Sequence, residues 1–407
     1  MSIETEVVRP SEFFDTIAPG IHLIGAMGNS VAVETDAGVV QVDTGGGRKL
    51  PLRMIGKLRT VTDLPVHAIL YSHGHLGYNF GIPHYQAHAK ERGDPPPRLI
   101  AHANLVRRYD RYIETAGLQE HLNRMQFPDG GLGNNISADQ FCYPTETFET
   151  SLTIDGGNRR IEVFHAPSET DDAIGFWIPG ERILYGGSAM IQSCPNVGTP
   201  LRTIRDAIRW AETLESMMAR GAELLIPEWG APIRGEAAVA DVLGIGARSL
   251  RYLRKAVVER MNAGMTDLEI IHDIEYPPEI FEHPAMKPVY GCPEYIVRDI
   301  YRFENGWWTS RNATDLHPSA PKDSAAAVAS AITDRAAVLE RARQLRDSGE
   351  RQLALHVIDL LALAPGDDAD LKAARQLKAE LLDDFAQAHP SVVSRNLYRS
   401  SAARIRG

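Results

Sequence analysis

The chain has 407 residues, 43% hydrophobic and 24% charged, a globular composition long enough for two domains that excludes collagen-like, low-complexity and repeat architectures. A formal net charge of -10 excludes the clustered Lys and Arg that phosphate backbones demand, so no nucleic-acid partner is expected. A small anionic substrate needs only a local arginine and stays open.

Residues 1–20 carry acidic side chains and no apolar run of signal-peptide length, and no window reaches the ~20 apolar residues of a membrane span. Cys142, Cys194 and Cys292 are odd in number and far apart, as in a reducing compartment. The expectation is a cytoplasmic chain with no membrane contact.

Residues 21–47, IHLIGAMGNSVAVETDAGVVQVDTGGG, read as three strands separated by Gly-containing turns. A helix over 49–63 and a buried strand over 65–73 follow, which places Asp43 and the loop after the strand at strand ends, the edge where layered α/β proteins bind ligands. A strand passes into a helix over 98–117, and the polar stretch 127–141, FPDGGLGNNISADQF, has the length of a lid or substrate loop. Strands resume near 151, 160, 174 and 182; an amphipathic helix over 201–221 then precedes a strand over 222–230. A β-rich unit traversed twice predicts two sheets sandwiched between helices.

Beyond about residue 235 the apolar spacing turns helical, over 247–264, 323–349, 351–366 and 370–387. The last three segments have antiparallel-hairpin spacing, and their Ala-rich faces suit close helix packing within one chain or between two.

The chemistry begins in 69-ILYSHGHLGYNFG-81. His73 and His75 flank a glycine after an apolar strand, and in extended or loop backbone such a pair points the same way, so both imidazoles can reach one ion. Alone, the pair fits a structural role as well as a metal site.

The ordered set VDTGGG, LYSHGH, HAPSETDD, ILYGGS and LIPEWGAPIRG resembles the metallo-beta-lactamase superfamily, in the branch containing alkyl sulfatases. Residues 289–318, VYGCPEYIVRDIYRFENGWWTSRNATDLHP, with the helices ending in RNLYR, resemble the alkyl-sulfatase dimerisation region. The resemblance implies an α/β fold: a four-layer αβ/βα sandwich over 1–238, an all-α dimerisation domain over 239–395, a tail over 396–407, and a homodimer through the helical domain.

It also implies metals at the sheet edge on an HxHxDH loop. His73, His75 and Glu169 stand at the first-metal positions, while Gly77, Tyr78 and Trp229 occupy second-metal positions and Ser188 replaces the bridging acid. None of those four is a good ligand for a divalent cation. The expected cofactor is therefore one divalent ion, zinc with iron as the alternative, with a fourth position open.

For a replacement base the nearest carboxylates in sequence are Glu228, Asp171 and Asp172, and Tyr78 could donate to a developing oxyanion. Asp43 and Asp172 are expected as supports behind the ligands. Asn196 and Arg202 match the stretch that contacts sulfate in alkyl sulfatases, and Tyr290, Cys292, Arg298 and Arg302 would cap the pocket around a small-molecule substrate. The plain alternatives are an Asn in a turn, an Arg at a helix start, surface roles for His84 and His88, and packing for His102.

Three functional readings follow. One is a single-metal hydrolase of a sulfate ester, thioester or lactone; another is a non-catalytic dimeric ligand-binding or scaffold relative. The third is a mononuclear lyase or redox enzyme, because His, His and carboxylate also serve non-haem iron.

Overall fold

The computed structural model describes residues 13–47, 49–128 and 135–407; part of the sequence-predicted lid at 127–141 lies outside them. Two compact units divide the chain, one within Met1–His121 and Leu132–Glu304, the other within Leu122–Gly131 and Asn305–Gly407.

The first unit opens with β1 (Phe14–Ala18), β2 (Ile21–Ala26), β3 (Gly28–Thr35), β4 (Gly38–Val42), α1 (Lys49–Leu58), β5 (Val66–Leu70), α2 (Ile82–Arg92), β6 (Arg98–His102) and α3 (Asn104–Glu114). Helix α4 (Ala116–Gln126) crosses the division, and β7 (Glu146–Phe148) completes a seven-stranded sheet in the order β1 to β7. Pairing is antiparallel from β1 to β4 and parallel from β4 to β7.

The second sheet is built from β8 (Ser151–Asp155), β9 (Arg160–His165), β10 (Ile174–Ile178), β11 (Ile183–Ile191), β12 (Leu224–Trp229) and β13 (Ile233–Arg234), with α5 (Ala207–Met218) connecting β11 to its parallel neighbour β12. Helices α6 (Glu236–Asn262), α7 (Asp267–Asp273), α8 (Pro278–Phe281) and α9 (Pro293–Glu304) finish the unit.

Period-two alternation sorts the strand residues into layers. Val31, Val33, Val40, Val42 and Leu70 of the first sheet meet Val163, Phe176, Tyr185 and Ile226 of the second in a central core. Their neighbours Ala32, Val39 and Ile69 face the other way, against Met54 and Leu58 of α1, Tyr85 of α2 and Tyr109 of α3. On the far side, Trp177, Leu184 and Leu225 pack against Trp210 of α5, Leu250 of α6 and Ile296 of α9. Three cores between four layers make the αβ/βα sandwich that the resemblance implies. The sheet-bearing unit runs on to Glu304 rather than stopping at 238, because α6 and α9 complete the core against the second sheet.

The second unit contains α10 (Pro321–Ser330), α11 (Arg335–Asp347), α12 (Arg351–Ala362), α13 (Ala369–Ala388) and α14 (Val392–Arg406). The helical stretch read over 323–349 is two helices, since Asp334 accepts from Ala337 N and starts α11 afresh. Fully buried Ala342, Ala354 and Ala374 let the helices approach closely. Residues 396–406 belong to α14 and not to a tail; Val393 and Ala402 are buried, the latter in the common core.

Trp210 is fully buried and its indole N–H donates to Ala189 O at 2.9 Å, pinning α5 to β11. Trp210→Ala should lower the stability of the first unit by about 3–5 kcal/mol. Urea unfolding followed by circular dichroism should show an earlier first transition; an unchanged midpoint would mean that α5 does not depend on this anchor.

Candidate metal centre

Parallel strands β4 and β5 run in register, with Val42 opposite Leu70, so both end at the same edge of the sheet. Asp43 follows β4 with φ of 53° and is buried. Its Oδ1 accepts from Ser72 N at 2.9 Å and from Asn79 Nδ2 at 2.7 Å, tying together both sides of the histidine loop. Burial raises the Asp43 pKa to about 7, against the opposing pull of the Ser72 and Asn79 hydrogen bonds.

Ser72 Oγ lies 3.0 Å from His73 Nδ1, which leaves His73 Nε2 directed at His75 Nδ1, 2.9 Å away. Burial lowers the His73 pKa to about 4. Burial, and then the charge His73 would carry, push His75 well below its ordinary value. Both imidazoles are therefore neutral at pH 7, the state in which histidine binds a metal.

Glu169 arrives from the loop between β9 and β10. Asn196 Nδ2 donates to its Oε1 at 2.6 Å, and Arg205 Nη1 stands 3.0 Å from the same oxygen. The other oxygen, Oε2, faces His75 Nδ1 at 4.0 Å. One ligand atom from each of His73, His75 and Glu169 lies within 4.8 Å of the others. Two neutral nitrogens and a carboxylate held through its other oxygen fit a divalent cation.

Gly74, between the histidines, is tightly enclosed. A Cβ there would stand 2.7 Å from Arg108 Cδ and 2.8 Å from Asp172 Oδ2. Arg108 Nε donates to Asp172 Oδ1 at 2.6 Å, and its Nη2 bonds Asp171. Burial alone would raise the Asp172 carboxyl, but the Arg108 guanidinium outweighs it and the pKa falls below its ordinary value.

The residues that the resemblance sets at second-metal positions have other occupations. Gly77 has φ of 89°, a conformation that strains any residue with a Cβ. Tyr78 is buried with its ring centroid 4.3 Å from that of His73, and its hydroxyl donates to Glu228 Oε1. Glu228 Oε1 is in turn 3.9 Å from His73 Nε2, while Oε2 has no hydrogen-bond partner. Burial, then the Glu169 charge, push the Glu228 carboxyl well above its usual range. Ser188 is buried 3.2 Å from Ser168 Oγ, and Trp229 lies beside Gly28.

The sequence-predicted substrate residues separate. Asn196 gives its amide to Glu169 Oε1. Arg202 is half-buried and its carbonyl accepts from Arg302 Nη2. Arg298 is not brought to the cluster; it pairs with Asp267 Oδ2 at 2.9 Å. Tyr290 is buried in a turn where a Cβ on Gly291 would stand 3.7 Å from Asn196 Oδ1. Packing accounts for His102, stacked on His165 at 3.8 Å, and for His88, which accepts from Arg59 Nε.

Arg205 and Arg108, which hold Glu169 and Asp172, were not singled out from the sequence. The available signal was an acid after a strand end, Glu169 or Asp172, which needs a cation once buried.

Residues 23–229 match the metallo-beta-lactamase superfamily, and residues 266–407 match the alkyl sulfatase dimerisation family. The chain belongs to the metallo-beta-lactamase superfamily, whose members bind divalent metal, and carries an alkyl sulfatase dimerisation domain. A linear primary-alkylsulfatase from Pseudomonas sp. is 27% identical over 395 residues, covering 92% of this chain and 73% of that protein. A second protein of that name is 24% identical, covering 84% of this chain and 53% of its own. The stereoselective inverting sec-alkylsulfatase Pisa1 from Pseudomonas sp. shares the fold with a TM-score of 0.83 at 19% identity, over 97% of this chain and 66% of that one. A double mutant of the same sec-alkyl sulfatase gives 0.85. This chain thus spans just under two thirds of the solved protein. Among the described residues no helix is long and apolar enough to cross a membrane.

Arg108→Ala would leave Asp172 buried without its cation, an expected loss of about 3–5 kcal/mol at pH 7. The folded pKa of Asp172 is depressed, so the contribution is complete above its unfolded value of about 4 and is lost as pH falls through the lower folded value. In urea titrations the gap between parent and variant should narrow below pH ~4. A gap constant from about pH 7 to 3 would show that the arginine does not act through this charge.

Proposed function

We propose that this protein is a metal-dependent hydrolase of sulfate esters that acts as a homodimer, with one divalent ion, zinc, held by His73, His75 and Glu169. The observation that carries the reading is the convergence of these three ligand atoms in a chain that joins a metallo-beta-lactamase domain to an alkyl sulfatase dimerisation domain. The names of its curated relatives supply the ester class.

When bound, the ion would polarise the ester and lower the pKa of water. The chain's own groups prepare the place. Ser72 fixes the His73 ring, while Asn196 and Arg205 hold Glu169 Oε1 so that Oε2 faces His75. Tyr78 and Glu228 are the acid–base pair of this reading: the Tyr78 hydroxyl donates to Oε1, 3.9 Å from His73 Nε2, and Oε2 carries no other hydrogen bond.

A non-catalytic reading draws on one observation, the Tyr78 ring packed on His73 where the family's pattern has a histidine ligand. Metal content and turnover separate the two. Elemental analysis of untagged protein should find about one zinc per chain, lost in His73→Ala/His75→Ala, a pair of changes that removes two of three ligands. Octyl sulfate hydrolysis should fall to background in Glu169→Ala, and light scattering should give twice the mass of the chain. An ion-free parent protein, or octyl sulfate left intact by the zinc-loaded parent, would sink the hydrolase, and turnover that survives Glu169→Ala would remove Glu169 from the ligand set.

Arg205→Ala and Asn196→Ala should each weaken zinc binding by about 10–100-fold, the usual effect of removing a group that orients a ligand. Competition against a chromophoric chelator measures this. Affinity equal to the parent's would show that Glu169 needs no support.

A further inference from the structure

Beside Glu169 lies a cleft of about 440 Å³, the size of a small-molecule site. Its walls carry five arginines: Arg107, Arg108 and Arg111 from α3, and Arg205 and Arg209 at the start of α5. Spacings of three and four residues put Arg107 and Arg108 each beside Arg111 on α3, while Arg205 precedes α5 and Arg209 lies in its first turn, and all five line the cleft with Glu169.

Three of the five have internal partners. Arg205 is engaged with Glu169, Arg108 with Asp171 and Asp172, and Arg107 with Asp171 at 2.5 Å. Arg111 and Arg209 have no carboxylate partner among the described residues. The remaining lining acid, Asp206, is occupied in capping α5, where its Oδ1 accepts from Ile208 N and Arg209 N. The cleft therefore faces solvent with unneutralised guanidinium charge in a chain whose net charge is -10. Pro167, Ile204 and Phe303 supply apolar surface along the same wall.

We propose that this cleft is a second anion site that receives the alcohol portion of the substrate, and that the preferred substrates are sulfate esters whose alcohol carries a terminal carboxylate. Arg111 and Arg209 take the carboxylate, and the apolar wall covers the intervening carbons. The ester class rests on the hydrolase reading; the anion site does not. Guanidinium is suited to the task because it offers a planar fork of donors to a carboxylate and keeps its charge at any working pH.

The test separates these layers. Zinc-loaded protein is titrated calorimetrically with 6-hydroxyhexanoate and with its uncharged methyl ester. The carboxylate should bind about tenfold tighter, as expected of charge-assisted hydrogen bonds, and Arg111→Ala/Arg209→Ala should abolish that preference. Arg111→Lys/Arg209→Lys should restore part of it, which a merely structural role would not produce. Equal binding of acid and methyl ester, or a preference unchanged in the alanine variant, overturns the proposal.

In parallel, kcat/KM for 5-carboxypentyl sulfate should exceed that for hexyl sulfate by about tenfold and should lose that excess in the alanine variant. If both esters are hydrolysed at equal efficiency, the proposed substrate class falls. If neither is hydrolysed while the arginine-dependent binding persists, the hydrolase reading fails and the anion site stands.

Discussion

Burial of ionisable groups where the strands of two sheets end is the constraint on which the rest of this site depends. Asp43, His73, Asp172 and Glu228 are all essentially removed from water. A buried charge is costly unless paired, and a buried polar group is costly unless bonded. Each residue meets that demand differently. Asp43 accepts a backbone and a side-chain N–H, His73 stays neutral, Asp172 takes a guanidinium, and Glu228 takes a phenol. Together these partners fix the loop from Ser72 to Asn79, and the loop fixes the imidazoles.

The same logic applies to the Glu169 carboxylate beside the cleft, whose Oε1 is held by Asn196 and Arg205. Glu169 sits on a loop, where backbone alone gives little precision. Asn196 and Arg205 come from the segment after β11, and Arg205 N is itself held by Asp299 Oδ2 on α9 at 3.0 Å. A chain of contacts thus runs from α9 through Arg205 to Glu169. The helices beyond 238 are for this reason part of the site's support as well as of the sandwich.

Short β-branched runs bounded by Gly-containing turns made the strands legible, because strands buried between a second sheet and helices are apolar on both faces. The His-x-His pair was legible from local spacing, while Glu169 was placed by the resemblance, and the fold brings the three together. Arg205 and Arg108 were not, because their significance depends on which acid a folded chain brings beside them. Arg298 illustrates the converse: the family's pattern suggests a cap on the pocket, yet the nearby Asp267 claims its guanidinium. The end of the chain was misleading for another reason. Helix α14 buries small or few side chains such as Val393, Ser394 and Ala402, so its apolar signal is weak although its packing is real.

Three of the four residues that the resemblance sets at second-metal positions, Gly77, Tyr78 and Trp229, sit in constrained local surroundings. Gly77 has φ of 89°, a backbone conformation that glycine adopts without a Cβ penalty. The Tyr78 ring fills space against His73 while its hydroxyl satisfies Glu228. A histidine at 78 would remove the phenolic donor and leave a buried carboxyl without it, and an ion placed there would have to displace the ring. Trp229, next to Glu228 on β12, packs beside Gly28, where the close approach of Glu228 O at 3.0 Å from a Cβ position leaves no room for a larger residue. Substitution at Tyr78 would therefore disturb His73 and Glu228 together, since one side chain contacts both.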